Sequence, residues 1–167
     1  MTAIRRTPAL LALSVSLALG GCRGEGGDAP GLPTPAAVTL EQFQGLRWLQ
    51  GNWRGAEDGD PPFFESYLFL DDSTIRSFTY TDSTFRQAGD SGVVRWRGGA
   101  ARVVGGPASW VATRFDSGGI HFEPEHGAGN SFDWIPGDHD GWTASLSWPA
   151  SGNPPRTRTY RMTRVGS

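Results

Sequence analysis

Short runs of alternating apolar and polar residues fill most of the chain after Gly51. They are rich in Thr, Val, Phe, Tyr and Trp and are separated by Gly, Asp, Ser and Pro, a pattern typical of β-strands joined by tight turns. Most links are of hairpin length, so we expect an antiparallel meander, and closure into a lipocalin-like barrel of eight to ten strands would remove its exposed edges. The strands are predicted at Gly51–Ala56, Phe63–Leu70, Thr74–Thr81, Gly92–Arg97, Ala101–Val104, Trp110–Phe115, Gly119–Glu123, Ser131–Ile135, Trp142–Trp148 and Arg156–Val165.

A short helix is predicted before the first strand, over Thr39–Leu49. Thr39 can cap it, and Gln42 stands three residues later, as a capping box requires. Apolar residues follow at helical spacing. Gly45, in the middle, weakens the pattern because glycine destabilises a helix interior. We therefore expect two or three turns.

The N-terminus has the features of an export signal. Arg5 and Arg6 precede an apolar run, Pro8–Leu19, that is too short to span a bilayer. Leu19-Gly20-Gly21-Cys22 resembles the lipobox of bacterial lipoproteins. The resemblance implies cleavage before Cys22, lipidation of its sulfur, and anchoring to a membrane of the cell envelope.

The sequence divides into three parts. Residues 1–21 are the predicted signal peptide, and residues 22–37 form a tether rich in Gly, Pro and Ala that cannot bury enough apolar surface to fold. Residues 38–167 form the predicted barrel domain. Arg23 follows Cys22 where inner-membrane retention in some bacteria uses aspartate, so the lipoprotein resemblance implies an outer-membrane location facing the periplasm, if the cell has two membranes.

Charge and composition exclude several functions. The 15 basic residues are all arginines, and they are outnumbered by 17 acidic residues, which argues against a nucleic-acid partner. The arginines are scattered along the sequence, so no polybasic stretch is apparent. With one cysteine, and that one expected to carry lipid, the domain has no thiol for catalysis, a disulfide or a Cys-based zinc site.

Gly51 and Trp53 form a Gly-x-Trp at the start of the first strand, and Arg161 and Arg164 lie in the last strand. Together these residues resemble the signature of calycins, the superfamily that includes lipocalins. In that superfamily a first-strand tryptophan packs against a last-strand arginine, a cation over an aromatic face that closes the barrel floor. The resemblance implies this role for Trp53, with Arg161 or Arg164 as its partner.

Two segments resemble a family of uncharacterised bacterial lipocalin-like domains. The segment Trp48–Gly55 matches that family's Trp-Leu-x-Gly-x-Trp-x-Gly element fully. Phe122–His126 matches its later Phe-Glu-Asn-Pro-x-His-Asp-Phe-Pro element in part, lacking the asparagine and the Asp-Phe-Pro. The resemblance implies the barrel fold and little chemistry.

Glu65 stands out in the aromatic and aliphatic strand Phe63–Leu70. It shares a face with Phe63, Tyr67 and Phe69 by period-two alternation. If that face lines the barrel, Glu65 needs a partner, either Arg76 or the polar group of a ligand. The other face, Phe64, Ser66, Leu68 and Leu70, is at least as good a core.

The histidines offer a second set of candidates. His121, Glu123 and Glu125 alternate with apolar residues, which places an imidazole and two carboxylates on one face, with His126 just beyond. These residues could line a ligand cavity or face solvent, and no second half of a metal site is recognisable. The Gly-x-Trp-x-Gly entry also resembles nitrobindin-like haem barrels, in which one histidine binds iron. Haem is thus a minor alternative, with His121, His126 or His139 as ligand.

No motif nominates a catalytic residue, since the phosphate loop, the nucleophile elbow and the zinc-protease helix are all missing from the sequence. We expect a non-enzymatic lipoprotein whose barrel binds a small apolar or amphipathic molecule, with no cofactor. The candidate ligand-binding residues are Trp53, Glu65, Tyr67, His121, Glu123 and His126. The alternatives are a structural or interaction lipoprotein with a filled barrel, and a haem- or metal-binding barrel.

Overall fold

Ten antiparallel strands close into a barrel in the computed structural model, which describes residues 31–57, 59–138, 141–150 and 154–166. Each strand pairs with its neighbours in sequence, and β1 closes the ring by pairing with β10. The closed meander predicted from the sequence is confirmed. The strands are β1 (Gly51–Ala56), β2 (Phe63–Asp71), β3 (Thr74–Tyr80), β4 (Ala88–Arg97), β5 (Ala100–Gly105), β6 (Ala108–Asp116), β7 (Gly119–His126), β8 (Ser131–Pro136), β9 (Gly141–Trp148) and β10 (Arg156–Arg164).

The predicted N-terminal helix forms in two parts, an α-helix, α1 (Leu40–Gln44), followed by a 3₁₀ helix (Gly45–Leu49). The capping box is present: Thr39 Oγ1 accepts from the Gln42 amide at 3.1 Å, and Gln42 Oε1 accepts from the Thr39 amide at 2.8 Å. The change of helix type begins at Gly45, the residue whose low helix propensity weakened the prediction. Phe43, Leu46 and Leu49 are buried, so this pair of helices covers one end of the barrel, called here the helical end.

Several strands are longer than predicted. β4 begins at Ala88 rather than Gly92, β6 at Ala108 rather than Trp110, and β7 continues to His126 rather than Glu123. The added residues are mostly small or polar and lie at the end opposite the helices, called here the far end. They have little β propensity of their own, and the neighbouring strands supply the hydrogen bonds that keep them extended.

The core lies inside the barrel and is densest at the helical end. Its fully buried side chains include Phe43, Trp53, Ile75, Phe122 and Met162, each at most 1% exposed. Several inward side chains nearer the far end, among them Phe63, Trp148 and Tyr160, are only partly buried. The closed floor is thus at the helical end, and the more exposed inward side chains lie toward the far end.

The apolar content of β2 leaves open which of its faces points inward. Tyr67 is buried, whereas Leu68 and Leu70 are 49% and 55% exposed. The inward residues are therefore Phe63, Glu65, Tyr67 and Phe69, and the opposite face is not the core. Both faces of β2 are apolar, so the face that points inward is decided by pairing with β1 and β3 rather than by β2 itself.

The predicted signal peptide, the predicted lipid site Cys22 and residues 22–30 of the predicted tether lie outside the described residues. Within the described ranges, no helix combines the length and the apolar character needed to cross a membrane.

Candidate functional site

Trp53 forms the floor of the barrel together with Arg164. The Trp53 indole Nε1 donates to the Leu49 carbonyl oxygen at 2.6 Å, which ties the first strand to the 3₁₀ helix. The Arg164 guanidinium lies 4.3 Å from the centre of the Trp53 ring, a cation–π geometry, and Nη1 also donates to the Gln50 carbonyl oxygen at 2.8 Å. Of the two arginines the sequence left open, Arg164 packs on Trp53, whereas Arg161 is exposed on the outer face of β10.

Gly51 makes this floor possible. Its φ is +131°, a conformation that side-chain-bearing residues rarely adopt, and a Cβ there would collide with Arg164 Nη1. Gly51 and Trp53 are thus architectural residues at the helical end.

Trp142 joins the floor to the middle of the barrel. Its ring makes edge contacts with Trp53, Tyr67 and Trp134, with centroid separations of 6.0, 5.9 and 6.0 Å. The indole Nε1 of Trp142 is buried and has no hydrogen-bond partner among the described residues. A buried donor without a partner is uncommon, because its lost hydration costs roughly 1–3 kcal/mol.

Glu65 and Tyr67 form a polar pair on the inner wall next to these aromatic rings. The Tyr67 hydroxyl donates to Glu65 Oε2 at 2.8 Å. Burial raises the pKa of the Glu65 carboxyl, although the hydrogen bond from Tyr67 acts in the opposite direction. Burial and the neighbouring Glu65 charge raise the pKa of the Tyr67 hydroxyl well above its usual value. The raised pKa of Tyr67 favours the protonated hydroxyl that donates to Glu65.

The second oxygen of Glu65 has no hydrogen-bond partner among the described residues and is not sealed from solvent. Arg76, one of the two partners considered from the sequence, does not reach it. Arg76 stands opposite Leu68 in the register and so faces outward, where Nη2 contacts the Ser91 hydroxyl at 3.3 Å. Arg76 is excluded as the partner because inward and outward residues alternate along a strand, and Glu65 and Arg76 lie on opposite faces of the sheet.

The inner wall between Glu65 and the far end has two different sides. On β3 and β4 it carries the small residues Ser77, Thr79 and Gly92. The aromatic and aliphatic side chains elsewhere on this wall are partly exposed: Phe63, Val103, Trp110, Trp148 and Tyr160. The inner wall at the far end is therefore mostly apolar and partly exposed, with small residues on β3 and β4.

The rim of the far end is held by Arg158. It forms ion pairs with Glu57, at 2.7 Å, and with Asp60, in the loop that follows β1. Nearby, Arg156 lies 4.3 Å from the centre of the Trp148 ring. These contacts position charged groups around an apolar opening.

His121 and Glu123 lie on the outer face of β7, since the adjacent residues Ile120 and Phe122 face the core. His121 bridges two carboxylates, with Nε2 at 2.8 Å from Glu123 Oε1 and Nδ1 at 2.9 Å from Asp133 Oδ1. Partial burial opposes protonation of His121, and the hydrogen bonds with the two carboxylates outweigh it and raise its pKa.

His126 is also away from the interior. His126 is exposed at the end of β7, 3.3 Å from the Ser109 hydroxyl, and His139 lies outside the described residues. Both Glu125 carboxylate oxygens accept from Arg102 Nε, each at 3.1 Å, so Glu125 does not join His121. In the part of the chain that the structure describes, no group of three or more His, Cys, Asp or Glu residues is placed to hold a metal ion. Of the sequence candidates, Trp53, Glu65 and Tyr67 come together inside the barrel, and the histidine set stays outside.

Two clefts were not anticipated from the sequence. One, of about 330 Å³, lies at the helical end between the helices and the β6–β7 turn, with Leu46, Trp48 and Phe115 in its wall. The other, of about 340 Å³, lies on the outer face of β4 and β5 and is lined by Val93, Arg95, Arg97, Arg102 and Val104. The second needs strand register to be recognised, because its residues come from separate stretches of sequence.

A comparison of the chain with models of known protein families finds no match, and a comparison with curated proteins finds no significant match. The described residues form a closed ten-stranded antiparallel β-barrel, an architecture consistent with a lipocalin-like fold.

Proposed function

We propose that this protein is a binding protein whose barrel takes up a small amphipathic molecule through the far end. The observation that carries the proposal is Glu65: an inward carboxylate with raised pKa and one free oxygen, below an accessible apolar wall. Ligand sites are typically apolar cavities with a few polar groups that fix orientation. The barrel interior offers this combination.

The polar groups define the kind of head group that would fit. Glu65 offers a carboxylate oxygen, which accepts hydrogen bonds when ionised. A hydroxyl can donate to this oxygen, and an amine can donate to it with a charge-assisted bond. A fatty carboxylate would be repelled by ionised Glu65. The proposed ligand thus has an apolar body and a hydroxyl or amine head.

The proposed location follows from the lipobox. Lipidation of Cys22 would hold the barrel at a membrane of the cell envelope, and in a cell with two membranes Arg23 favours the outer one. Mass analysis of the mature N-terminus tests this part independently: we expect a chain that begins at diacylated Cys22. A chain that retains residues 1–21 would refute it.

A structural or interaction lipoprotein is the second candidate. It is favoured by the helical half of the barrel, where Trp53, Trp134 and Trp142 pack against one another and fill the interior. A fully packed barrel would leave no room for a ligand. The two candidate functions differ in whether the protein's own side chains also fill the half of the barrel at the far end.

A fluorescence titration separates them. We would titrate the full chain with dodecanol, dodecylamine and dodecanoate, following tryptophan emission. The proposal predicts saturable changes with the alcohol and the amine, and weaker binding of the carboxylate.

Matched variants then locate the site. Glu65→Gln should weaken amine binding about tenfold or more, since it removes a charge-assisted hydrogen bond. Glu123→Gln makes the same change on the outer face and should leave binding unaltered. Equal effects of the two substitutions, or no saturable binding, would favour the structural candidate.

A further inference from the structure

The barrel gathers arginines on one part of its outer surface. Arg76 lies on β3, Arg95 and Arg97 on β4, and Arg102 on β5, all in the half nearer the helices. Arg95 and Arg102 stand directly opposite each other across the β4–β5 pair. Arginines that are scattered in the sequence therefore become a cluster, called here the arginine face.

This cluster is only partly neutralised. Arg102 is bound by Glu125, but Arg95 and Arg97 are exposed and form no ion pair with any residue that the structure describes. Like charges directly opposite on neighbouring strands are destabilising, with side chains about 4.5–5.5 Å apart at Cβ. An anionic partner would remove that repulsion.

Aliphatic residues alternate with the arginines on the same surface. One cross-strand row runs through Leu68, Arg76, Val93 and Val104 on four adjacent strands. Leu68 is 49% exposed and Val104 45% exposed. Guanidinium groups interspersed with exposed aliphatic side chains suit the bilayer interface, where cations meet lipid phosphates and apolar groups reach the acyl boundary.

The described chain enters the barrel beside this face. The Val38 amide donates to the Gly99 carbonyl oxygen at 2.8 Å, and Trp96 Nε1 donates to the Val38 carbonyl oxygen at 2.7 Å. Gly99 lies in the turn that follows Arg97. Cys22 is 16 residues before Val38, and a chain of that length cannot exceed about 55 Å. A lipid on Cys22 would thus keep the arginine face within reach of the membrane.

We propose that the arginine face docks on the anionic phospholipid headgroups of the bilayer that carries the anchor. The inference rests on the proposed lipidation for its geometry, but not on the ligand inside the barrel. Docking on this face would set the orientation of the barrel at the membrane surface.

Vesicle flotation tests the proposal without the anchor. The full chain carrying Cys22→Ser would be mixed with phosphatidylcholine vesicles that contain or lack one-third phosphatidylglycerol. We expect stronger binding to the anionic vesicles, weakened by salt, since surface charge is screened within roughly 10 Å at 0.1 M. Because the N-terminal segment is the same in every variant, differences between variants report on the barrel surface.

The decisive comparison uses two double variants in that background. Arg95→Gln with Arg97→Gln should lower partitioning onto anionic vesicles about 25-fold, at about fivefold for each arginine. Arg54→Gln with Arg161→Gln removes the same charge from exposed positions on β1 and β10 and should change it less than threefold. Equal losses, or no loss in the first variant, would overturn the proposal.

Folding and lipidation are checked separately. Removing Arg95 and Arg97 relieves repulsion among the arginines, so we expect the double variant to have an unchanged or higher melting temperature. Loss of vesicle binding by a variant with that melting temperature cannot be attributed to unfolding. If Cys22 carries no lipid, the proposed anchor is refuted. The vesicle experiment would still test whether the arginine face binds anionic lipid. Ligand binding by the Glu65 site is a third, independent readout.

Discussion

Replacing Arg164 with methionine tests the closed floor of the barrel. Arg164→Met removes the cation from the Trp53 ring and the hydrogen bonds to the carbonyl oxygens of Gln50, at 2.8 Å, and Trp48, at 3.3 Å. A cation–π contact at an exposed site contributes about 0.5–1 kcal/mol. The shorter hydrogen bond contributes about 1–1.5 kcal/mol, and the longer, more exposed one little. The expected loss is therefore about 2 kcal/mol.

The matched control is Arg161→Met, which removes the same side chain from an exposed position on the same strand. We expect its effect to stay within about 0.5 kcal/mol. By thermal unfolding followed with circular dichroism, a loss of 2 kcal/mol lowers the melting temperature by about 8 °C for a domain of this size. Equal shifts for the two variants would refute the assignment of Arg164 to the floor.

Three further substitutions probe other parts of the structure. Gly51→Ala should cost about 1–3 kcal/mol in chemical denaturation, because the residue would be strained at positive φ and would displace Arg164; a neutral effect would contradict this. Glu65→Gln should raise the melting temperature at pH 8. The pKa of Glu65 is raised in the folded state, so its ionisation destabilises the fold as the pH rises above that pKa. The gain in melting temperature should therefore vanish near pH 4. His121→Gln should lower stability by up to about 1 kcal/mol below pH 6. The raised pKa of His121 makes its contribution largest when protonated, so the deficit should disappear at high pH, and a pH-independent deficit would exclude the ion pairs as its cause.

Much of the fold follows from local sequence. β1 has the predicted bounds, and every other predicted strand lies at its predicted place, because alternation and turn residues are local signals. The sequence also contains the signal that selects Arg164 over Arg161, because residues two apart on a strand face the same side. Arg164 shares this alternation with the inward residues Tyr160 and Met162, whereas Arg161 does not. Parity along a strand therefore carries more information than composition.

Other features depend on strand pairing. On β2 both faces are apolar, so the inward position of Glu65 follows from its place opposite Trp53 on β1. The same holds for the arginine face, which exists because register sets Arg95 opposite Arg102. Neither relation can be read from one strand, since each depends on the offset between two strands.

Native mass spectrometry of the full chain, extracted from its own membranes, tests the proposed ligand site most directly. We predict an added small-molecule mass on the wild-type protein, lost on mild activation, and a reduced proportion of that species in Glu65→Gln prepared identically. An absorbance spectrum of the same sample would reveal haem. A wild-type protein with no bound molecule, or the same mass in equal proportion on both proteins, would contradict a site at Glu65.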